Sequence, residues 1–271
     1  MKALGIILAG GNSSRMQNLS EKRAISAMSV ACSYRCIDFV LSNMTNSNIQ
    51  TVAVLSQYNA RSLNEHLNSS KWWNFGRKQG GLFLFTPTVT SDNSWWYRGT
   101  ADAMWQNIDF LKKRHEPYVV IASGDCVSKM DFNEILEYHI AKQSDITVVC
   151  AKLPEWEDPK RFGLVKMDME GRIMEFDEKP MVADSDIVST GVYVIRRRTL
   201  IELLEQSNEE GRYNFVTDVL IRQKGLKKIY GYMLDGYWSN IASVESYYRT
   251  NMDFLKKDIR DYFFHQEPQI Y

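Results

Sequence analysis

Gly10-Gly11 with Arg15, Asp125, Glu178-Lys179 and the run 97–103 are the residues whose types and spacing suit chemistry on phosphates. The stretch Leu4-Gly-Ile-Ile-Leu-Ala-Gly-Gly-Asn-Ser-Ser-Arg15 passes from an apolar run through two glycines to an arginine. Glycines permit positive φ and close backbone approach, so successive N–H groups can wrap phosphate oxygens. Arginine adds a planar, permanent charge suited to the same anion. The competing reading is an ordinary strand-to-loop turn. Neither G-x-G-x-x-G nor G-K-[ST] is present, which excludes a dinucleotide fingerprint and a P-loop. Asp125, behind an apolar run and Gly124, suits a Mg²⁺ ligand for a phosphate-bearing substrate; it equally suits a turn. Lys179 can neutralise a phosphate or stand as a solvated surface lysine. Tyr97-Arg-Gly-Thr-Ala-Asp-Ala103 couples a glycine to a helix start, where free N–H groups can hold a polar ligand. Alternatively it is a plain capped helix with Asp102 complementing its dipole.

The elements that must position these residues alternate. Apolar runs at 3–9, 51–56, 118–122 and 145–152 predict buried strands, with helices predicted over 35–46, 59–67 (capped by Asn59), 100–115 (capped by Thr100) and 131–142 (capped by Asp131). That order predicts an α/β fold, a right-handed and mostly parallel sheet with helices on both faces. Ligands in such sheets collect outside the carboxyl ends of the strands, where Gly10-Gly11 and Gly124-Asp125 both fall. Residues 17–33 lack a period and read as a long loop over the active face. The region 69–96 is aromatic-rich with one short strand at 82–85; Trp72, Trp73, Trp95 and Trp96 read as packing more than as a binding platform. Strands at 163–167 and 172–176 flank a hairpin turn, Asp168-Met-Glu-Gly171. A strand at 188–195, helices at 199–206 and 215–223, a strand at 228–234 and a helix at 243–255 complete the pattern. Beyond it, 256–271 is charged, then aromatic, with no evident packing partner.

The 271 residues carry 33 basic and 33 acidic side chains, a formal net charge of zero, so nothing argues for a nucleic-acid surface. The four cysteines (Cys32, Cys36, Cys126, Cys150) lack C-x-x-C spacing and read as reduced thiols. No apolar run approaches a membrane span, and the chain reads as cytoplasmic. His66, His115 and His139 fall on predicted helices and take no role. Lys22-Arg23 and Arg196-Arg-Arg198 fit solvated faces.

Taken together, these motifs resemble the nucleotidyltransferase domain of bacterial glucose-1-phosphate adenylyltransferases (ADP-glucose pyrophosphorylases). The matching stretches are Leu8-Ala-Gly-Gly with Arg15, Lys22-Arg-Ala24, Tyr34-Arg-Cys-Ile-Asp-Phe-Val-Leu-Ser-Asn43 and Asn46-Ser-Asn-Ile49. They continue through Ser56-Gln-Tyr58, Trp96-Tyr-Arg-Gly-Thr-Ala-Asp-Ala103, Gly124-Asp125, Phe162-Gly163, Glu178-Lys-Pro180 and Tyr237-Trp238. The resemblance spans residues 2 to 255. It implies a Rossmann-like nucleotidyltransferase sheet and a family reaction in which ATP and glucose 1-phosphate give ADP-glucose and pyrophosphate for glycogen synthesis. It also implies roles: Arg15, Asp125 and Lys179 in catalysis; Leu8, Gly10, Gly11, Gln57, Gly99 and Thr100 on the nucleotide; Glu178 and Lys179 on the sugar phosphate; Lys22 and Arg23 in effector binding. Asp125 and the position of Asn240 would hold Mg²⁺. On this reading 1–255 is the nucleotidyltransferase domain and 256–271 leads to a carboxyl-terminal left-handed β-helix domain that this sequence lacks.

The departures from the family pattern point to a degraded site. Asn12-Ser13-Ser14 replaces the middle of Gly-Gly-x-Gly-Thr-Arg. Ile25-Ser26 stands where the family has Lys-Pro, Ala31-Cys32 where it has Gly-Gly, and Trp238-Ser-Asn240-Ile-Ala-Ser243 where it has Trp-x-Asp-Val-Gly-Thr. A phosphate lysine and a metal carboxylate are thereby lost. This pattern resembles the D-type subunit of glycogen biosynthesis and implies a weak or lost Mg²⁺ site. It further implies a hetero-oligomer with a catalytic adenylyltransferase subunit, and ATP or ADP-glucose and glucose 1-phosphate as ligands. Gly10-Gly11, Asp125, Lys179 and Asn240 are expected to converge on one cleft, and Ile25→Lys with Asn240→Asp is expected to restore activity. The alternative is a fully active sugar-1-phosphate nucleotidyltransferase.

Overall fold

The computed structural model describes residues 2–68, 73–75, 80–88 and 96–271. In chain order, β1 (Ala3–Leu8) leads through tight 3-10 turns at Ser14–Ser20 and Ile25–Ala27 to a small hairpin, β2 (Ser29–Val30) and β3 (Tyr34–Arg35). α1 (Cys36–Asn46), β4 (Thr51–Leu55), α2 (Arg61–Leu67) and β5 (Gly81–Phe85) follow. Next come α3 (Thr100–Gln106), α4 (Ile108–Lys112), β6 (Tyr118–Ser123), β7 (Cys126–Ser128), α5 (Phe132–Ala141) and β8 (Ile146–Lys152). β9 (Gly163–Met167), β10 (Ile173–Glu178), β11 (Ile187–Arg196), α6 (Arg197–Glu209), α7 (Ile221–Gln223) and β12 (Ile229–Met233) lead to β13 (Trp238–Asn240), α8 (Val244–Asp253) and α9 (Lys257–Arg260). The fold is α/β, as the alternation predicts, with a mixed sheet flanked by helices. No helix among the described residues is long and apolar enough to cross a membrane.

The chain divides into two compact units. The glycine-loop unit comprises Leu4–Thr86, Ala122–Phe132 and Gly236–Tyr271. Here β1, β4 and β5 pair in parallel, Leu4 opposite Thr51 and Leu55 opposite Phe85. β4 is buried at every residue, the signature of a strand covered on both faces. α1 follows β3 through a capping box in which the Arg35 N–H donates to Asp38 Oδ2 at 2.8 Å. Asp38 is itself buried and meets His66 Nε2 at 2.6 Å. A second core joins Met16, Ile25, Cys36, Phe39, Val127, Ile241, Phe254 and Phe263.

Several expectations are corrected in this unit. Residues 17–33 are not an open loop: Ala24 to Met28 are buried, which the absence of helical or strand periodicity concealed because 3-10 turns have neither period. Asn59 does not cap α2; with φ of 47° it turns away, and its amide donates to Ser20 O and Glu21 O. The segment 256–271 does have partners. Phe263 is fully buried, Lys129 Nζ donates to Tyr262 O and Gln266 O at 2.6 and 2.7 Å, and the Tyr271 N–H donates to Ser42 Oγ at 2.9 Å. Trp73 packs in the core as expected, whereas Trp72 and Trp95 lie outside the described residues.

The hairpin unit comprises Met1–Ala3, Pro87–Ile121 and Asn133–Asp235. β11 pairs antiparallel with β8 and β9, β10 with β9, while β12 runs parallel to β8. The 168–171 turn forms as predicted: Gly171 takes φ of 85° and donates to Asp168 O, and Asp168 Oδ1 accepts from the N–H groups of Glu170 and Arg172. The helix expected over 100–115 breaks at Asn107, whose amide donates to Ala103 O and Tyr97 Oη. A side chain competing for the backbone carbonyl ends one helix and starts the next. The helix expected over 215–223 opens with a wide π turn at Phe215–Leu220 before α7. α5 starts at Phe132, whose N–H is held by Ser47 Oγ at 2.8 Å.

Candidate active site

In the glycine-loop unit, neighbouring strand ends and loops are stitched together at one edge. The Ala9 N–H donates to Leu55 O, and the Gly124 N–H to Leu8 O. Leu8, half-buried, thus anchors the start of the loop against the Gly124-Asp125 turn. Gly10 lies against Gln57, whose Cβ would sit 3.4 Å from a Cβ added at Gly10; one added at Gly11 would meet nothing within 4 Å among the described residues. Neither glycine takes a positive φ, contrary to the reading from sequence. The chain's own conformation therefore does not demand glycine at 11; the open space beside it is the feature a ligand would use. Ser13 Oγ then donates to Ala242 O at 2.7 Å, fixing the loop to the segment after β13. Arg15 is exposed on the 3-10 turn, next to buried Met16.

Asp125 and Asn240 come together. β13 pairs antiparallel with β7, placing Asn240 opposite Cys126, and the Ile241 N–H donates to Asp125 O at 3.0 Å. Asp125 Oδ1 accepts from Ser123 Oγ at 2.5 Å and from Cys126 Sγ at 3.5 Å. Asn240 Oδ1 accepts from the Ala242 N–H at 3.0 Å, while its amide nitrogen donates to Cys126 Sγ at 3.5 Å. Burial, ahead of the neighbouring Asp125 charge, pushes the Cys126 thiol well above its ordinary range, so it stands as a protonated donor and not as a thiolate ligand. Ser123, Ser13 and Cys126 were missed from sequence; a hydroxyl two residues from a strand-end aspartate is the signal that Ser123 offers.

These residues do not fit a built Mg²⁺ site. One Asp125 oxygen already serves two donors, the Asn240 carbonyl oxygen serves Ala242, and no group of three or more His, Cys, Asp or Glu among the described residues could hold a metal. Ile25 and Ser26 occupy the positions expected of a lysine and a proline. Ile25 is buried in the second core, and Ser26 Oγ would lie 2.8 Å from a Cβ at Gly124. Lys22 and Arg23 are exposed beyond the loop; burial raises the Tyr247 phenol above its ordinary range, and the nearby Arg23 charge opposes that shift.

The other predicted residues belong to the hairpin unit. A Cβ at Gly99 would fall 2.3 Å from Tyr213 O, so glycine there is required by close backbone approach. Thr100 Oγ1 accepts from the Phe215 N–H at 2.9 Å. Asp102, buried, takes the Arg98 and Gln106 side chains, and Arg98 lies 3.7 Å over the Tyr213 ring. Gly99 and Thr100 thus dock the 213–215 segment, an internal role that the spacing could not distinguish from ligand binding. Glu178 ends β10 and Lys179 follows at φ of 51°, its N–H on Phe162 O and its ammonium 3.4 Å from Glu178 Oε1. A lysine in the left-handed region is a strained backbone position of the kind found at ligand sites.

A family model described as nucleotidyl transferase matches residues 4–257. The chain belongs to the nucleotidyl transferase family. This nucleotidyl transferase chain is 37% identical over 274 residues to a glucose-1-phosphate adenylyltransferase of Desulfitobacterium hafniense, covering all of this chain and 68% of the relative. It is 36% identical to that of Bacillus subtilis, covering 72% of it, and 38% identical to that of Thermosipho africanus, covering 97% of this chain and 64% of the relative. Among solved structures, a putative glucose-1-phosphate thymidylyltransferase from Bacillus anthracis aligns with a TM-score of 0.75 over 93% of this chain and 95% of that one. At 19% identity that likeness speaks to the nucleotidyl transferase fold alone.

Proposed function

We propose that this chain is a glucose-1-phosphate adenylyltransferase-like subunit of glycogen synthesis, catalytically weak and acting as a regulatory partner of a catalytic subunit in the cytoplasm. It binds ATP or ADP-glucose and glucose 1-phosphate. The observation that carries this reading is Asn240, an amide whose oxygen is spent on Ala242, standing beside Asp125 where the family resemblance implies a second carboxylate. Phosphoryl transfer leaves a protein mainly positioning and charge neutralisation to perform. Losing one preorganised charge-stabilising group costs roughly 3 kcal/mol, about a hundred-fold in rate. Loss of the lysine at Ile25 as well brings the deficit to on the order of 10⁴-fold if the two act independently.

What remains supports binding. The open loop at Gly11 offers backbone N–H groups to phosphate, Arg15 adds charge, Gln57 borders the loop for a base, and Glu178 with Lys179 suit a sugar phosphate. Retention of Arg15, Asp125 and Lys179 is what favours the second reading, a fully active nucleotidyltransferase. Titration calorimetry with ATP and with glucose 1-phosphate, followed by mixing with a catalytic relative, tests the proposal. Binding of ligand with a shift in the relative's substrate or effector response is expected. An unchanged response in a mixture shown by sedimentation to contain both chains together would reject the regulatory role.

A further inference from the structure

Lys179 stands in a backbone conformation that its own sequence opposes. Its φ is 51°, in the left-handed region, and Pro180 follows, a neighbour that drives the preceding residue toward extended backbone. Such a conformation persists only where the surroundings impose it. The Phe162-Gly163 stretch does so. The Lys179 N–H donates to Phe162 O at 3.0 Å. Glu178, opposite Gly163 in the β9–β10 ladder, folds its carboxylate over that glycine: a Cβ there would lie 2.9 Å from Glu178 Oε2. Lys179 Nζ in turn lies 3.4 Å from Glu178 Oε1. The Glu178-Lys179 pair thus takes its geometry from residues 162 and 163.

Those two residues leave a 3-10 turn, Pro159–Arg161, that is tied down on several sides. Asp158 caps it, its side chain accepting from the Lys160 N–H at 3.1 Å, and the Phe162 N–H closes on Pro159 O at 3.1 Å. Across the turn the Arg161 guanidinium donates to Glu157 Oε1, with the two side chains only 10% and 6% exposed. The same guanidinium lies 5.4 Å from the centre of the Phe162 ring. Stability does not account for this pair. An ion pair taken out of water recovers little more than its desolvation cost. Arg161 Nε is also buried with no hydrogen-bond partner among the described residues, a further cost. What the pair supplies is a fixed turn geometry immediately ahead of the carbonyl that holds Lys179.

We propose that the buried Glu157–Arg161 pair positions Lys179, locking the turn so that Phe162 O holds the lysine in its left-handed conformation for the phosphate of glucose 1-phosphate. Glu157 and Arg161 are positioning residues that act through the backbone, and the proposal rests on the reading of Lys179 as a sugar-phosphate residue. Titration calorimetry of the full chain with glucose 1-phosphate and, separately, with ATP tests it, beside amide hydrogen exchange at Lys179 read by NMR. Glu157→Met with Arg161→Met removes the pair without stranding a buried charge, a change that such sites commonly tolerate. The wild-type Lys179 amide is expected to be protected. The double variant is expected to fold by circular dichroism, to lose roughly tenfold or more of that protection, and to bind glucose 1-phosphate roughly tenfold more weakly while binding ATP as before. Arg161→Lys keeps the charge and loses the planar fork, and is expected to shift both readings the same way by a smaller factor. It decides the matter if the double variant does not fold. Protection and glucose 1-phosphate affinity both unchanged in a folded variant overturn the proposal. So does either one changing without the other, or an equal loss of ATP affinity. A wild type that binds no glucose 1-phosphate rejects the proposed function instead, and exchange at Lys179 alone then decides whether the pair positions it.

Discussion

Ala31 and Cys32 hold φ of 50° and 69°, both in the left-handed region, at the two positions where the family resemblance places glycines. They form the turn between β2 and β3, with the Ser33 N–H returning to Ala31 O at 2.9 Å. A side chain in that region costs roughly 1–2 kcal/mol, partly offset by the extra freedom glycine has when unfolded. Ala31→Gly and Cys32→Gly are each expected to stabilise the chain by about 0.5–1 kcal/mol in urea unfolding; a loss of stability would show that the turn is not strained. Gly99→Ala acts in the other direction. The added carbon lands 2.3 Å from Tyr213 O, a backbone atom that cannot rotate away, and a loss of about 2–3 kcal/mol is expected from the same measurement. Gly10, Gly11, Gly99 and Asp125 stand out in the sequence by type and spacing, but the close backbone contact that requires glycine at 99 does not. Gly99 answers to Tyr213 O, 114 positions further along the chain, whereas a Cβ at Gly11 would meet nothing within 4 Å among the described residues.

Among elements, α5 and β8 bury a histidine with a defined cost. His139 is 1% exposed, with Nδ1 at 2.8 Å from Thr147 Oγ1 and Nε2 without a hydrogen-bond partner among the described residues, and it packs edge-on against Tyr118. Burial, and then the Arg196 charge, push its pKa from 6.5 down to about 4; Asp145 opposes this weakly. Because the folded value lies below the unfolded one, unfolding takes up a proton, and stability is full above pH 6.5 and falls as pH drops toward 4. The expected loss from this group is about 2 kcal/mol between neutrality and pH 5. His139→Gln should flatten that part of the stability curve, and an imidazole titrating near 6.5 by NMR would contradict the assignment. The second core revises an earlier expectation as well. Ile25→Lys would place an ammonium among Met16, Phe39 and Phe263, at a cost of about 3 kcal/mol or more, so its failure to restore activity would not discriminate. Asn240→Asp, half-exposed on β13, is the cleaner change, expected to tighten Mn²⁺ binding roughly tenfold. Strands were legible as elements because β1, β4, β6 and β8 are continuous apolar runs; the 3-10 turns, the break at Asn107 and the burial of Phe263 were not, since each depends on partners distant in sequence.

For the whole molecule, the α/β class followed from alternation, while the antiparallel ladders around β11 needed the pairing itself. The frame of a nucleotidyl transferase is intact, with the strand-end loops, the Asp125 turn and the hairpin carrying Glu178 all formed. At the three positions on which the proposed function turns stand a carboxylate (Asp125), an amide (Asn240) and an isoleucine (Ile25). The measurement that bears most directly on this account is pyrophosphate release from ATP and glucose 1-phosphate by the purified chain alone, beside Asn240→Asp. The account predicts release near background for the wild type and a Mg²⁺-dependent gain of roughly a hundred-fold for the variant. Robust turnover by the wild type, undiminished with Ile25 and Asn240 in place, would contradict it.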